Sequence, residues 1–270
     1  GEFSRDRPVE GTELVHVSAE IVAWEHMRAE AAGLRRVVEI AHHDGDLGLP
    51  SDVVEARLPI GALRAGARGW HGEDEALVLH YRFDEGAGAT AVDASPNSLD
   101  GSVVGGHWSP GVFGKSLNFC NCYGPNSWVD AGKSALFDIT DAITIEAWLF
   151  TYGGTGDHQV IAGKWYDGGT PKQGYLLELQ PNGETLQFPI WGVTSDNISN
   201  AASPVPVLAG VWTHVAATYD GAHVRIYQDG VETLKIDAPG EIPISPAPFF
   251  VGAHDSAADR NAFNGKKRYC

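Results

Sequence analysis

The sequence predicts an antiparallel β-sandwich of two sheets from about residue 77 to the C-terminus, preceded by a small segment that is β-rich or mixed. Short β-like runs at 77–83, 143–150, 160–165, 175–180, 186–191, 212–219, 223–228 and 249–252 are separated by Gly, Asn, Asp and Pro, the punctuation of all-β folds. Few helical patterns compete with them. Two sharp turn signals, Asp220-Gly221 and Asp229-Gly230, sit between alternating strands, where Gly accepts the positive φ of a tight turn. They predict a meander of three consecutive antiparallel strands from Trp212 to about Ile236.

The bulk composition fits this class. A chain of 270 residues suggests one large domain with a smaller attachment, and 43% hydrophobic residues are enough for a core. The formal net charge is −16, with only 19 Lys and Arg. Nucleic-acid binding and adhesion to anionic lipid both rely on cationic contacts and are disfavoured. Neutral polysaccharides fit this charge better than acidic ones. No apolar run approaches the ~18–20 residues needed to cross a bilayer, and the N-terminus carries no signal-peptide pattern. Of the three cysteines, Cys120 and Cys122 would lie on one face of a strand near the ~7 Å limit for bridging, so free thiols are expected.

The first 76 residues have a different texture, with eight Arg and no Lys. A β-compatible stretch at 14–22, a short helix at 25–36 and a strand at 53–58 are expected there. The small, flexible residues from Gly61 to Gly69 read as a linker. Residues 1–70 are therefore expected to be a fragment of a neighbouring module plus linker, and 75–270 the main domain.

Four stretches in order carry a family resemblance. Tyr81-Arg82-Phe83-Asp84-Glu85-Gly86-Ala87-Gly88 leads into Asp93-Ala94-Ser95 and Asp100-Gly101; Gly114-Lys115-Ser116-Leu117-Asn118-Phe119 and Ile143-Thr144-Ile145-Glu146-Ala147-Trp148 follow. The last is Trp212-Thr213-His214-Val215-Ala216-Ala217-Thr218-Tyr219-Asp220-Gly221 with Val224-Arg225-Ile226-Tyr227-Gln228-Asp229-Gly230-Val231. Together they resemble bacterial laminin-G-like, concanavalin A-like jelly-roll domains over about 77–265. The resemblance implies a two-sheet jelly roll, a lectin-like role and an extracellular parent protein. The sequence departs from the pattern at Cys120-Asn121-Cys122-Tyr123-Gly124-Pro125 and after Phe263-Asn264-Gly265, where an acidic final strand should follow. A missing strand bares backbone groups and invites association at the edge.

The loop Asp93–Gly101 offers several oxygen donors, and the resemblance implies a structural calcium held by Asp93, Asn97 and Asp100. Its alternative is a polar turn with Asx-type hydrogen bonds. A sugar site pairs an aromatic face with polar groups. Strand alternation puts Thr144, Glu146, Trp148 and Phe150 on one face, and Gln187, Pro189 and Trp191 on another, with Glu178 beside Gln180. On the concave sheet, Glu146, Glu178, Gln187 and Trp191 would line a groove, with Trp165 and Tyr166 as exposed contacts. Trp148 and Trp212 are expected in the core.

The expected function is carbohydrate binding by an accessory module. The first alternative is a polysaccharide-degrading hydrolase or lyase, with Glu146 and Glu178 as the carboxylate pair, although no Glu-x-Asp-x-x-Glu string is present. His223, Arg225 and Tyr227 share a face but read as structural, and the cluster His42-His43-Asp44-Gly45-Asp46 reads as a solvated loop. The second alternative is a protein-interaction or spacer module.

Overall fold

The computed structural model describes residues 77–112, 114–119, 127–166, 173–191, 201–254 and 263, together with the backbone of 37–40. The expectations for Cys120, Cys122, the histidine cluster at 42–46, the N-terminal helix and the linker lie outside the described residues. In chain order the strands are β1 (Val37–Ile40), β2 (Leu77–Tyr81), β3 (Thr90–Ala91), β4 (Gly101–Val104), β5 (His107–Pro110), β6 (Lys115–Asn118) and β7 (Trp128–Asp130). Then come β8 (Ile143–Phe150), β9 (Gln159–Tyr166), β10 (Gln173–Leu179), β11 (Thr185–Gln187), β12 (Ile190–Trp191) and β13 (Ala202–Pro206). The last four are β14 (Trp212–Tyr219), β15 (His223–Gln228), β16 (Val231–Asp237) and β17 (Phe250–Val251).

Two large sheets result. A six-stranded sheet has the order β16-β15-β14-β8-β1-β2, and a nine-stranded one β13-β11-β10-β9-β17-β7-β4-β3 with β12 beside β10. Their inner faces share one apolar core. From the first sheet come Leu79, Tyr81, Ile143, Ile145, Leu149, Val215, Tyr219, Val224 and Ile226; from the second, Val129, Ala162, Tyr175, Leu177 and Leu179. Phe137 and Phe249 stack in that core with ring centroids 4.8 Å apart. Burial of this apolar surface is the main stabilising term, at about 25 cal/mol per Å².

Sequence alternation explains which side chains reach the core. On β15 the buried Val224, Ile226 and Gln228 alternate with half-buried His223, Arg225 and Tyr227, as a period of two demands. The predicted meander is the antiparallel ribbon β14-β15-β16. Asp229 (φ 47°) and Gly230 (φ 78°) form its second turn, both in the left-handed region that two-residue hairpins require. The first turn is longer. There the Asp220 carboxylate accepts the Ala222 and His223 N–H groups at 2.9 and 2.6 Å.

The predicted run 186–191 divides into two short strands, β11 and β12, around Phe188-Pro189. Proline has no N–H to give to a ladder. Trp148 and Trp212, expected in the core, instead stand half-buried on the outer face of the six-stranded sheet, because Ala147, Leu149, Thr213 and Val215 beside them turn inward. Strand β1 lies outside the predicted elements. It runs between β2 and β8, parallel to both, in a sheet whose remaining pairs are antiparallel.

The outer edge of β2 is closed by a loop rather than a strand. Asn97 donates its amide to the Leu77 and Val78 carbonyls at 2.8 and 3.0 Å, and the Ala94 N–H bonds the His80 carbonyl at 2.8 Å. The Asp93 carboxylate accepts the His80 N–H at 2.9 Å. Among the described residues no helix is long and apolar enough to cross a membrane.

Candidate functional site

The outer face of the nine-stranded sheet carries the most site-like group of side chains. Strand β10 sets its direction. Tyr175, Leu177 and Leu179 point into the core, so Leu176 and Glu178 point out. Register then fixes their neighbours: Glu178 lies beside Val160 on β9 and Gln187 on β11, while Gly174 lies between Trp165 and Trp191.

At one end, four polar residues make a connected set. Gln180 Nε2 donates to Gln187 Oε1 at 2.8 Å, and Gln187 Nε2 donates to Glu178 Oε1. His158 Nδ1 is 3.1 Å from the same carboxylate oxygen. A carboxylate only accepts, so Nδ1 carries the proton in this contact. The 3.2 Å approach of Gln187 Nε2 to His158 Nδ1 then places two donors side by side and is no hydrogen bond. Glu178 and Gln187 are buried, whereas the His158 side chain is 40% exposed and opens the set to solvent.

At the other end the face is aromatic. Trp165 and Trp191 meet edge to face, with centroids 6.2 Å apart and planes at 67°. Gly174 between them adopts φ +111°, and a Cβ there would collide with the Lys164 carbonyl, so only glycine allows the β9–β10 backbones to approach as they do at this point. Val160 and Leu176 fill the space beneath the indoles. Four residues separate Gly174 from Glu178, which is about 13 Å along a strand. The face is thus a strip with an apolar aromatic end and a hydrogen-bonding end.

The structure brings together Trp165, Glu178, Gln187 and Trp191, and sets Tyr166 at the end of β9 with 38% exposure. Trp165 does not have the exposure expected of it. It is 6% exposed, because Val160, Leu176 and Trp191 enclose it. Trp191 is half-buried and is the more accessible ring of the pair.

Glu146 does not join this group. It is on β8, in the other sheet, where Ile145 and Ala147 face the core and Glu146 faces outward. The expected groove containing both glutamates is therefore corrected, as is the idea that they meet across strands. Sheets pack about 10 Å apart face to face, and both carboxylates point away from the interface. No glycosidic bond can lie between two groups separated by the core, whereas a hydrolase needs its carboxylates within about 5–9.5 Å across an open site.

Glu146 has surroundings of its own. His214 Nε2 lies 3.8 Å from Glu146 Oε2, and the Trp148 ring is 5.5 Å from the imidazole. Phe150 links Trp212 and Tyr152 in a row beside them, each contact at 5.5 Å. Burial pushes the Tyr152 phenol up to about 12. His223 and Arg225 turn to Asp220, and Tyr227 reaches Glu232, so this row serves the hairpin.

In the Asp93–Gly101 loop, both Asp93 oxygens are engaged by the protein. Oδ1 accepts the His80 and Ser95 N–H groups, each at 2.9 Å; Oδ2 accepts the Ser95 hydroxyl and the Leu99 N–H, each at 2.7 Å. Asp100 Oδ1 accepts the Asp93 N–H at 2.8 Å. A calcium ion requires six to eight oxygens with lone pairs to spare. Four donors already occupy the Asp93 carboxylate, and Asn97 directs its NH₂ to the β2 edge. The buried Tyr81 hydroxyl donates to the Leu99 carbonyl at 2.7 Å. Its proton is held well beyond the usual phenol range, first by burial and then by the charges of Asp93, Asp100, Asp130 and Glu85.

Sequence reasoning missed His158 and His214 as partners of the two glutamates. Each meets its glutamate only through strand register, and no local motif announces it.

The family described as the concanavalin A-like lectin/glucanases superfamily, of laminin-G type, matches residues 124–266. The chain belongs to that family. A search of curated proteins finds no match. Among solved structures, domain 4 of AbnA, a GH43 extracellular arabinanase from Geobacillus stearothermophilus in complex with arabinotriose, is similar at 18% identity, with TM-score 0.49 and coverage of 70% of this chain and 87% of that one. Domains LG4-5 of the mouse laminin α1 chain align at 15% identity and TM-score 0.36, covering 48% of this chain and 34% of that one. The carbohydrate-binding module CBM66 from Bacillus subtilis aligns at 15% identity and TM-score 0.29, covering 56% and 90%.

Proposed function

We propose that this laminin-G-like jelly roll binds a neutral carbohydrate on the outer face of its nine-stranded sheet. The observation that carries the reading is the strip along β10, where Trp191 and Tyr166 offer aromatic surface and the Glu178–Gln187–Gln180–His158 set offers hydrogen-bonding groups. Sugar rings present apolar C–H faces and hydroxyl edges, and this arrangement answers both. The buried Glu178 and Gln187 hold each other and the exposed His158 in place, so the open edge of the set meets a ligand already oriented. The net charge of −16 favours an uncharged glycan.

The parent protein is read as extracellular and the chain as an accessory module. Calcium at Asp93, Asn97 and Asp100 stands as a separate proposal; the loop's own hydrogen bonds account for its shape without an ion. A glycan array followed by calorimetric titration tests the binding reading. Micromolar-to-millimolar binding of a neutral oligosaccharide, lost in Trp191→Ala, supports it. Silence across neutral and acidic glycans, or reducing or unsaturated products released from a polysaccharide, replaces it by the spacer or enzyme reading.

A further inference from the structure

Each large sheet has two edge strands, and most of these edges offer little to another chain. The loop at Asp93 covers β2, Pro204 and Pro206 interrupt β13, and β3 has only two residues. β16 differs. It runs for seven residues, and Val231, Glu232, Lys235 and Asp237 on it are exposed.

The ladder with β15 fixes which backbone groups of β16 point outward. The Ala238 N–H bonds the Ala222 carbonyl, so these two form a hydrogen-bonded pair, and Val224 with Ile236 forms the next in the same register. Antiparallel pairing alternates, so Lys235 and Asp237 turn their N–H and C=O groups away from β15. Among the described residues no backbone group meets them. The register slips between Ile226 and Tyr227, which leaves Leu234 to Asp237 as the regular part of the edge.

The charge pattern identifies the occupant. Lys235 and Asp237 share a face of the strand and carry opposite charges. A second β16 laid antiparallel about a two-fold axis at Ile236 sets each Lys235 opposite the other copy's Asp237. Both residues have outward backbone groups, so the register that pairs the charges also closes the main-chain hydrogen bonds. Arg225, level with Lys235 on β15, directs its own charge to Asp220 and Glu232, and leaves that of Lys235 to a partner. The Asp237 side chain is 91% exposed, with His223 Nε2 at 3.5 Å beside it. A lysine on an edge ordinarily repels a second copy. Here the aspartate two positions on turns that repulsion into attraction.

We propose that two copies of this chain associate through β16, antiparallel about Ile236, so that their six-stranded sheets become one continuous sheet. Ile236, half-buried against the core of each copy, meets its counterpart on the inner face. The ladder is short, so the dimer belongs with the transient interfaces that bury less than about 1,200 Å². The association is independent of what the β10 strip binds.

Sedimentation velocity and amide exchange on the full chain over a dilution series test this. The unaltered chain forms a concentration-dependent dimer. The amides of Lys235 and Asp237 exchange more slowly as concentration rises, whereas that of Ile236, already bonded to β15, does not change; this measurement needs no variant. Lys235→Asp and Asp237→Lys each oppose like charges in the homodimer and weaken it about tenfold or more, with little change in melting temperature because both sites are exposed. The double variant carrying both changes, and an equimolar mixture of the two single variants, restore opposite charges at every pair and recover the dimer. Absence of dimer up to about 1 mM protein, Lys235 and Asp237 amides indifferent to concentration, or a double variant that associates no better than the singles each overturns the proposal.

Discussion

Trp165 and Trp191 touch edge to face across a glycine, but they stand in different surroundings: Trp165 is 6% exposed, and Trp191 is half-buried at the rim. Alanine at the two positions should therefore act differently. Trp165→Ala empties a packed site among Val160 and Leu176 and should cost about 3–5 kcal/mol of stability. Trp191→Ala should shift the melting temperature much less while weakening glycan binding at least about tenfold, the effect of losing a ring-stacking contact. Thermal melting and titration calorimetry on both variants check this. A Trp191→Ala protein with full glycan affinity moves the ligand elsewhere on the fold.

The loop at Asp93 closes the β2 edge, so its residues should matter for stability with or without calcium. Asp93→Ala strands the His80, Ser95 and Leu99 N–H groups, and Asn97→Ala strands the Leu77 and Val78 carbonyls. Losses of about 1–3 kcal/mol are expected for each unsatisfied buried group. Melting of metal-free protein with and without added calcium isolates any contribution from an ion, since a ligand that binds only the native state raises the melting temperature. A calcium-dependent rise that disappears in Asp100→Ala establishes the ion; equal melting curves assign the loop to hydrogen bonding alone.

Asp220 gives the fold an acid-side dependence. Burial alone would raise its pKa, but the Arg225 guanidinium and the Ala222 and His223 N–H groups hold the carboxyl below its ordinary value of 3.8. A carboxyl whose folded pKa is depressed adds stability that is present above the unfolded pKa and fades as pH falls through the folded one. This contribution should be complete at neutral pH and disappear only below about pH 4, the unfolded carboxylate value. Asp220→Asn should lower the melting temperature at pH 7, and the difference between the two proteins should narrow progressively as the pH falls below about 4. A melting difference that does not change with pH would show that the carboxylate contributes no charge-dependent stability.

The strands were legible because alternation and Asp-Gly turns are local signals. β8, β14 and β15 coincide with the predicted runs, and Glu178, Gln187 and Trp191 share a face as the alternation implies. Alternation assigns a face of a strand, but not the sheet to which the strand belongs. Glu146 therefore entered the expected groove although β8 and β10 are in different sheets. Exposure of an outward ring was equally hidden, since Trp165 is enclosed by side chains from β9, β10 and β12 whose meeting depends on register. Strand β1 carries no turn signal tying it to β2 or β8, and its place follows from long-range pairing alone.

The two glutamates finally offer a test of which face works. Glu178→Gln keeps the shape of the side chain but removes the charge that orients His158 and accepts from Gln187. Glycan affinity should fall by about 10–100-fold, the worth of one charge-assisted hydrogen bond of about 1.5–3 kcal/mol. Glu146→Gln alters the pair with His214 on the opposite sheet, so it should change stability and leave glycan affinity within about twofold, because distant sites act independently. Calorimetric titration of both variants with the oligosaccharide selected by array decides the matter. If Glu146→Gln abolishes binding while Glu178→Gln does not, the ligand sits on the six-stranded sheet beside Trp148 and Trp212, and the site proposed along β10 is wrong.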